Sequence, residues 1–152
     1  MFVTDINVPS SDLLLPSCTL NSPTVPVQSV RDGRVMELDQ LVGTWELHSS
    51  ALTDGDGGVR NRHGETPNGM LLYTADGSVS ATVSSSASNV LDVCYAGRVT
   101  VRGDTVTHHV LVGAAPFVVG TELVRHAELA SNGTLRYTVR GESGAPTTTV
   151  IW

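Results

Sequence analysis

Leu41-Val42-Gly43-Thr44-Trp45-Glu46-Leu47-His48-Ser49 reads as a β-strand, and the rest of the chain falls into place around it. Side chains two apart in a strand share a face, so Gly43, Trp45, Leu47 and Ser49 look one way and Thr44, Glu46 and His48 the other. Trp45 then meets a core and Glu46 meets water. A glycine two residues before the indole would let another backbone pack close to it, as the bottom of a small barrel requires.

Working outward, one helical turn over Glu37–Gln40 leads into this strand, and Thr53 to Asn68 follows it as a polar, glycine-rich loop in which no strand is expected. Such a loop belongs at a barrel mouth. Its centre, Asp54-Gly55-Asp56-Gly57-Gly58, lacks the third ligand and the closing glutamate of a calcium loop. Gly69–Thr74 and Ser78–Val83 flank Asp76-Gly77, a strong hairpin signal. Cys94–Val101 and Thr105–Val112 are joined at Arg102-Gly103-Asp104. Thr121–Leu129 turns at Asn132-Gly133 into Leu135–Val139, and Thr147–Trp152 closes the series. About eight short strands in meander order predict an all-β, up-and-down barrel with a central cavity, because eight strands leave room for one small ligand.

Composition bounds the function. The chain has 152 residues, 40% of them hydrophobic and 5% aromatic, enough for one core. A net charge of −6 with only nine Lys and Arg argues against nucleic acid. Leu13-Leu14-Leu15 is bracketed by Asp12 and Pro16, so neither a signal peptide nor a membrane span is expected, and the expected compartment is the cytoplasm. Residues 1–35, with Pro9, Pro16, Pro23 and Pro26, form an extended N-terminal arm, and residues 36–152 form the barrel domain. Leu13, Leu14, Leu15, Leu20, Val25 and Val27 give the arm apolar surface to lie on the barrel or on a second subunit in a homodimer. Cys18 could pair with Cys94 only if the arm crosses the barrel.

Leu41-Val42-Gly43-Thr44-Trp45, Gly69–Gly77, Tyr95-Ala96-Gly97-Arg98, Val106–Val110 and Gly120-Thr121 with Arg125 resemble, in order and spacing, the lipocalin-like domain family of bacterial and fungal proteins. The resemblance runs from Leu41 to Trp152. It implies a small β-barrel with a central cavity, often associated with specialised metabolism, and several barrels of this general type are cyclases or pericyclases. The chain departs from the pattern at Val99, where an aromatic is usual, and in its long arm.

Chemistry must come from what points inward. Tyr73 shares a face with Leu71, Tyr95 with Gly97 and Val99, His108 with Val106, Val110 and Val112, and Arg125 with Leu123, Ala127 and Leu129. His108, Arg125 and Tyr95 are the candidate catalytic residues. Trp45, Leu71, Tyr73, Tyr95, Val99, Val110, Leu123 and Tyr137 are the candidate substrate-binding residues. Each has a plainer reading. His108 is either a satisfied core histidine or a general acid or base. Arg125 either answers Glu122, Glu128 or backbone carbonyls, or meets a ligand. The tyrosines are either wall residues or donors to a ligand.

No metal or cofactor is expected. Neighbours His108 and His109 face opposite ways, and no spacing recruits His48, His63 or His126 to either. Nucleophile-elbow, P-loop and dinucleotide motifs are missing. Two functions of different class remain. One is a cofactor-independent cyclase or isomerase, including a pericyclase, that folds a hydrophobic intermediate of natural-product biosynthesis into one reactive conformer. The other is a carrier that binds a hydrophobic small molecule unchanged. The resemblance favours the first. A barrel filled by its own side chains is a third reading, opposed by small residues such as Ala81, Gly97 and Val99.

Overall fold

The computed structural model describes residues 35–86, 91–141 and 145–152. The arm lies almost wholly outside these residues, and so does Cys18 with its expected pairing to Cys94. A four-residue helix, α1 (Leu38–Leu41), is followed by ten strands: β1 (Gly43–Glu46), β2 (Ser49–Thr53), β3 (Val59–Asn61), β4 (Asn68–Tyr73), β5 (Ser78–Ser84), β6 (Leu91–Arg102), β7 (Thr105–Gly113), β8 (Glu122–Leu129), β9 (Leu135–Val139) and β10 (Thr147–Ile151). They form one antiparallel sheet in the order β1-β4-β5-β6-β7-β8-β9-β10-β2-β3. The all-β meander barrel expected from the sequence is borne out, with ten strand segments where about eight were expected.

The extra count has two causes. The first strand is bent in two at Leu47 and His48. Leu47 N–H bonds to the Gly69 carbonyl at 3.0 Å on the β4 side, and His48 N–H to the Ile151 carbonyl at 2.8 Å on the β10 side. One bent strand thus belongs to both ends of the curled sheet, which is how the barrel closes without a ninth long strand. The bend also shifts the alternation. Ser49 was expected to share the face of Trp45, but it is Ser50, opposite Val150, that turns inward and is 3% exposed.

The second cause is β3, in the loop where no strand was expected. Asp54–Gly58 is built like the turns at Thr74–Ser78 and Ala130–Thr134. In each, the first N–H bonds to the fifth carbonyl, at 2.9, 3.1 and 2.9 Å respectively. In each, Oδ1 of Asp56, Asp76 or Asn132 accepts an N–H two residues on, at 3.1, 3.3 and 3.1 Å. The glycine that follows sits at φ 87°, 80° or 81°, in the left-handed region that a Cβ disfavours. Beyond β3 the chain crosses toward β5 and β6, where His63, itself buried, places Nδ1 2.9 Å from the Asp92 carboxylate.

Two further positions differ from expectation. Gly43 is needed for its backbone, at φ 138°, and an added Cβ would meet nothing within 4 Å, so close packing against the indole is not its role. Close approach occurs instead at Gly97, where a Cβ would fall 2.0 Å from the His109 carbonyl oxygen. There the register of β6 and β7 slips, Ala96 facing Val112 and Gly97 facing Val110, so that Leu111 is the extra residue of a bulge. Val112 therefore leaves the face of His108 and is 61% exposed.

The core runs along the inner face, with Leu41, Leu71, Val79, Ala81, Val99, Val106, Val110, Ala127 and Leu135 all buried. Burying a Val or Leu side chain contributes about 1.5–3 kcal/mol, so this stripe outweighs any single polar contact. Trp45 packs against the core half-buried, its indole N–H donating to the Leu41 carbonyl at 2.8 Å and so tying α1 to β1. Among the described residues no helix is long and apolar enough to cross a membrane.

Candidate functional site

Period-two alternation on five strands, four of them adjacent and the fifth one strand away across β5, delivers a continuous polar chain into this apolar interior. Tyr73 comes from β4, Tyr95 from β6, His108 from β7, Arg125 from β8 and Tyr137 from β9. The Tyr137 and Tyr73 hydroxyls lie 2.6 Å apart, and the Tyr73 hydroxyl lies 2.5 Å from His108 Nε2. On the other side of the ring, His108 Nδ1 lies 2.7 Å from the Tyr95 hydroxyl. Arg125 Nη2 donates to that same hydroxyl at 3.1 Å, and Arg125 Nη1 donates to the Leu123 carbonyl at 2.8 Å. The guanidinium carbon also stands 5.9 Å from the centre of the Tyr95 ring.

Packing fixes this geometry. His108 is 1% exposed, Tyr73 and Tyr137 are each 1% and Tyr95 is 6%, whereas Arg125 is half-buried. The imidazole sits edge-on to Tyr73 and Tyr137, with ring centres 5.5 and 6.3 Å away. Burial sets the protonation states. It pushes the His108 pKa down to about 2, helped by the neighbouring Arg125 charge, so the ring is neutral at physiological pH. It pushes the Tyr73, Tyr95 and Tyr137 hydroxyls above the ordinary tyrosine range, against which the Arg125 charge works, so all three stay protonated.

All three candidate catalytic residues, His108, Arg125 and Tyr95, thus lie in one bonded chain. Of the candidate binding residues, Tyr73 and Tyr137 belong to it. Leu71, Val99 and Val110 form the buried wall around it, and Leu123 and Trp45 lie half-buried on the same inner face. Glu122 and Glu128 do not answer Arg125; Glu122 turns outward to His109 Nδ1 at 3.1 Å. The sequence reading missed two inward polar groups, Ser50 Oγ and Trp152 Nε1. Both are buried without a hydrogen-bond partner among the described residues. Trp152 exchanges backbone bonds with Leu135, at 3.0 and 2.9 Å, and so shares its inner face; the parity of Leu135 was the available signal. Ser50 gave none, because its direction depends on the bend.

The arrangement offers hydrogen-bond donors on a rigid wall. Both ring nitrogens of His108 are engaged by tyrosines, so the ring orients its neighbours and does not itself face the interior with a free nitrogen. A groove on the outer face, lined by Leu72, Ser80, Ala96, Arg98, Leu111 and Val112, is separated from this chain by the sheet. No curated protein matches the chain. The family model of the lipocalin-like domain matches residues 42–93, which span β1 to the start of β6. That match, lying on the strands that carry Trp45, Leu71 and Tyr73, supports the resemblance to lipocalin-like domains read from the sequence.

Proposed function

We propose that this barrel binds a hydrophobic small molecule in its interior, against the wall formed by Tyr137, Tyr73, His108, Tyr95 and Arg125. The observation that carries the reading is the chain of polar groups itself: a buried, mutually hydrogen-bonded set amid Leu71, Val99 and Val110, ending at a half-buried cation. Burying these groups costs several kcal/mol of desolvation that an apolar core would avoid. An interior that serves only stability has no use for that cost, whereas a ligand site does. Filling the interior tests it. Val99→Trp should abolish one-to-one binding of the neutral dye Nile red while the far-ultraviolet spectrum is unchanged, and the outward control Val124→Trp should leave binding intact. Equal behaviour of the two variants would place the dye elsewhere.

A second reading, cyclase or isomerase, is favoured by one feature: a tyrosyl hydroxyl backed by a guanidinium is a preorganised donor for polarising a carbonyl. In this reading His108 is a positioning residue, since its neutral ring is occupied on both sides. Orientation of a flexible substrate could supply on the order of 7 kcal/mol or more of the barrier reduction without any proton abstraction. A natural intermediate converted to an isomer of unchanged mass, faster with wild type than with Tyr95→Phe, would move the assignment from carrier to enzyme.

A further inference from the structure

The direction of each hydrogen bond in the buried chain can be counted. Arg125 must donate to Tyr95, because guanidinium has no acceptor. Three bonds remain, Tyr95 to His108, His108 to Tyr73 and Tyr73 to Tyr137, and each uses one proton. Three tyrosyl O–H groups and the single N–H of a neutral imidazole hold four. If the ring proton is on Nδ1, the O–H of Tyr95 is left over. If it is on Nε2, the O–H left over is that of Tyr73 or Tyr137. Every arrangement leaves one tyrosyl donor with no acceptor in the chain.

A second donor without an acceptor lies in the interior, together with an unpartnered hydroxyl that can either donate or accept. Trp152 Nε1, a donor only, and Ser50 Oγ, on a residue 3% exposed, are buried and unpartnered among the described residues. Arg125 has no carboxylate within ion-pair distance among them, its acceptors being one carbonyl and one hydroxyl. Each described Asp and Glu lies outside the interior, on an outward strand position, in a turn or loop, or in or beside α1. Among the described residues the inner surface therefore combines spare donors with a positive charge and supplies no negative charge to meet them. Buried donors without acceptors are costly, and a half-buried guanidinium more so.

We propose that the interior site takes an apolar molecule bearing an anionic oxygen, a carboxylate or an enolate, which accepts from Arg125 and from the spare tyrosyl O–H. The proposal rests on the binding reading above and adds the charge and hydrogen-bonding sign of the ligand. Matched probes separate that sign from plain hydrophobicity: decanoate against decanol, and 1-pyrenebutyrate against 1-pyrenebutanol, titrated at pH 7.5 by calorimetry and by fluorescence. Wild type should bind each acid at least about tenfold tighter than its alcohol, the range expected for hydrogen bonds to a charged group. Arg125→Met should bring acid and alcohol together by weakening the acid alone, Arg125→Lys should keep most of the preference, and Tyr95→Phe, which removes one oxygen and little volume, should lose part of it. Alcohols bound as tightly as acids by wild type, or an acid preference that survives Arg125→Met, would overturn the anionic-oxygen proposal and leave the binding reading standing. If Nile red and all four probes fail to bind, the binding reading falls and this proposal with it.

Discussion

His108 and His109 are neighbours on β7 with the same side chain, yet the wall between them gives them different chemistry. His108 is 1% exposed, wedged between Tyr73 and Tyr95, and its proton is pushed away by burial and by Arg125. His109 lies on the outer surface, Nε2 3.0 Å from the Thr100 hydroxyl and Nδ1 3.1 Å from Glu122. The inner ring is a fixed neutral link that must be bonded on both sides, whereas water can replace any partner of the outer one. The inner and outer faces of one strand thus differ in what a lost contact costs.

The widest gap between the faces should show in truncation. Tyr73→Ala removes a ring that is 1% exposed and breaks the chain on both sides of its hydroxyl, and should lower the unfolding free energy by about 3–5 kcal/mol. Val124→Ala, on the outer face and 48% exposed, should change it by no more than about 0.5 kcal/mol. Urea titrations of the two variants beside wild type measure both. Similar losses would mean that the interior relaxes around missing volume, and the contrast between the faces would collapse.

How much of this contrast is legible in the sequence depends on where the two-residue period runs unbroken. From Tyr95 to Val99, Val106 to Val110, Leu123 to Leu129 and Leu135 to Val139 it does, so Tyr95, His108, Arg125 and Tyr137 read inward from spacing alone. It breaks where backbone geometry intervenes. The bend at Leu47 and His48 exchanges Ser49 for Ser50, and the bulge at Leu111 turns Val112 out; neither has a side-chain signature. The Asp-Gly signal at Asp76-Gly77 recurs at Asp56-Gly57, yet there the flanking Val59-Arg60-Asn61 is exposed and shows no apolar alternation, so the strand stayed hidden. Which inward groups touch was equally out of reach, because the link from Tyr73 to Tyr137 spans 64 positions and exists only once the sheet has curled.

Protonation sharpens the comparison next. The His108 pKa falls from its ordinary 6.5 to about 2 in the fold, so between those values the unfolded chain holds a proton that the folded chain excludes. Its contribution is fully present above pH 6.5 and is lost as the pH falls below it, with a slope approaching about 1.4 kcal/mol per pH unit. Between pH 6.5 and 5, above the ordinary titration range of carboxylates, wild type should therefore lose stability more steeply than His108→Gln. The buried tyrosines act at the other limit: raised above their ordinary 10.0, they should cost stability as the pH rises past 10 and the unfolded chain ionises first. Parallel acid slopes in wild type and His108→Gln would show that the ring takes up a proton in place, with the polar chain rearranged around it.

The smallest expected effect belongs to the outer face. Glu122→Gln removes the charge 3.1 Å from His109, in a pair whose side chains are 35% and 66% exposed. Exposed pairs of this kind contribute about 0–1 kcal/mol, and salt screens them further. The variant should therefore melt within about 0.5 kcal/mol of wild type at 0.15 M salt, and should keep the affinity of the interior for every probe, because the pair lies on the outer face of β7 and β8 and Arg125 on the inner face. This null result is informative for the inner site as well. Arg125 was a candidate partner for Glu122 on sequence grounds, and if the carboxylate reached it even part of the time, Glu122→Gln would free the guanidinium and raise acid affinity. Unchanged binding of 1-pyrenebutyrate removes Glu122 as a competitor for Arg125 in solution, as the anionic ligand requires. A tighter complex would instead assign Glu122 as its competitor.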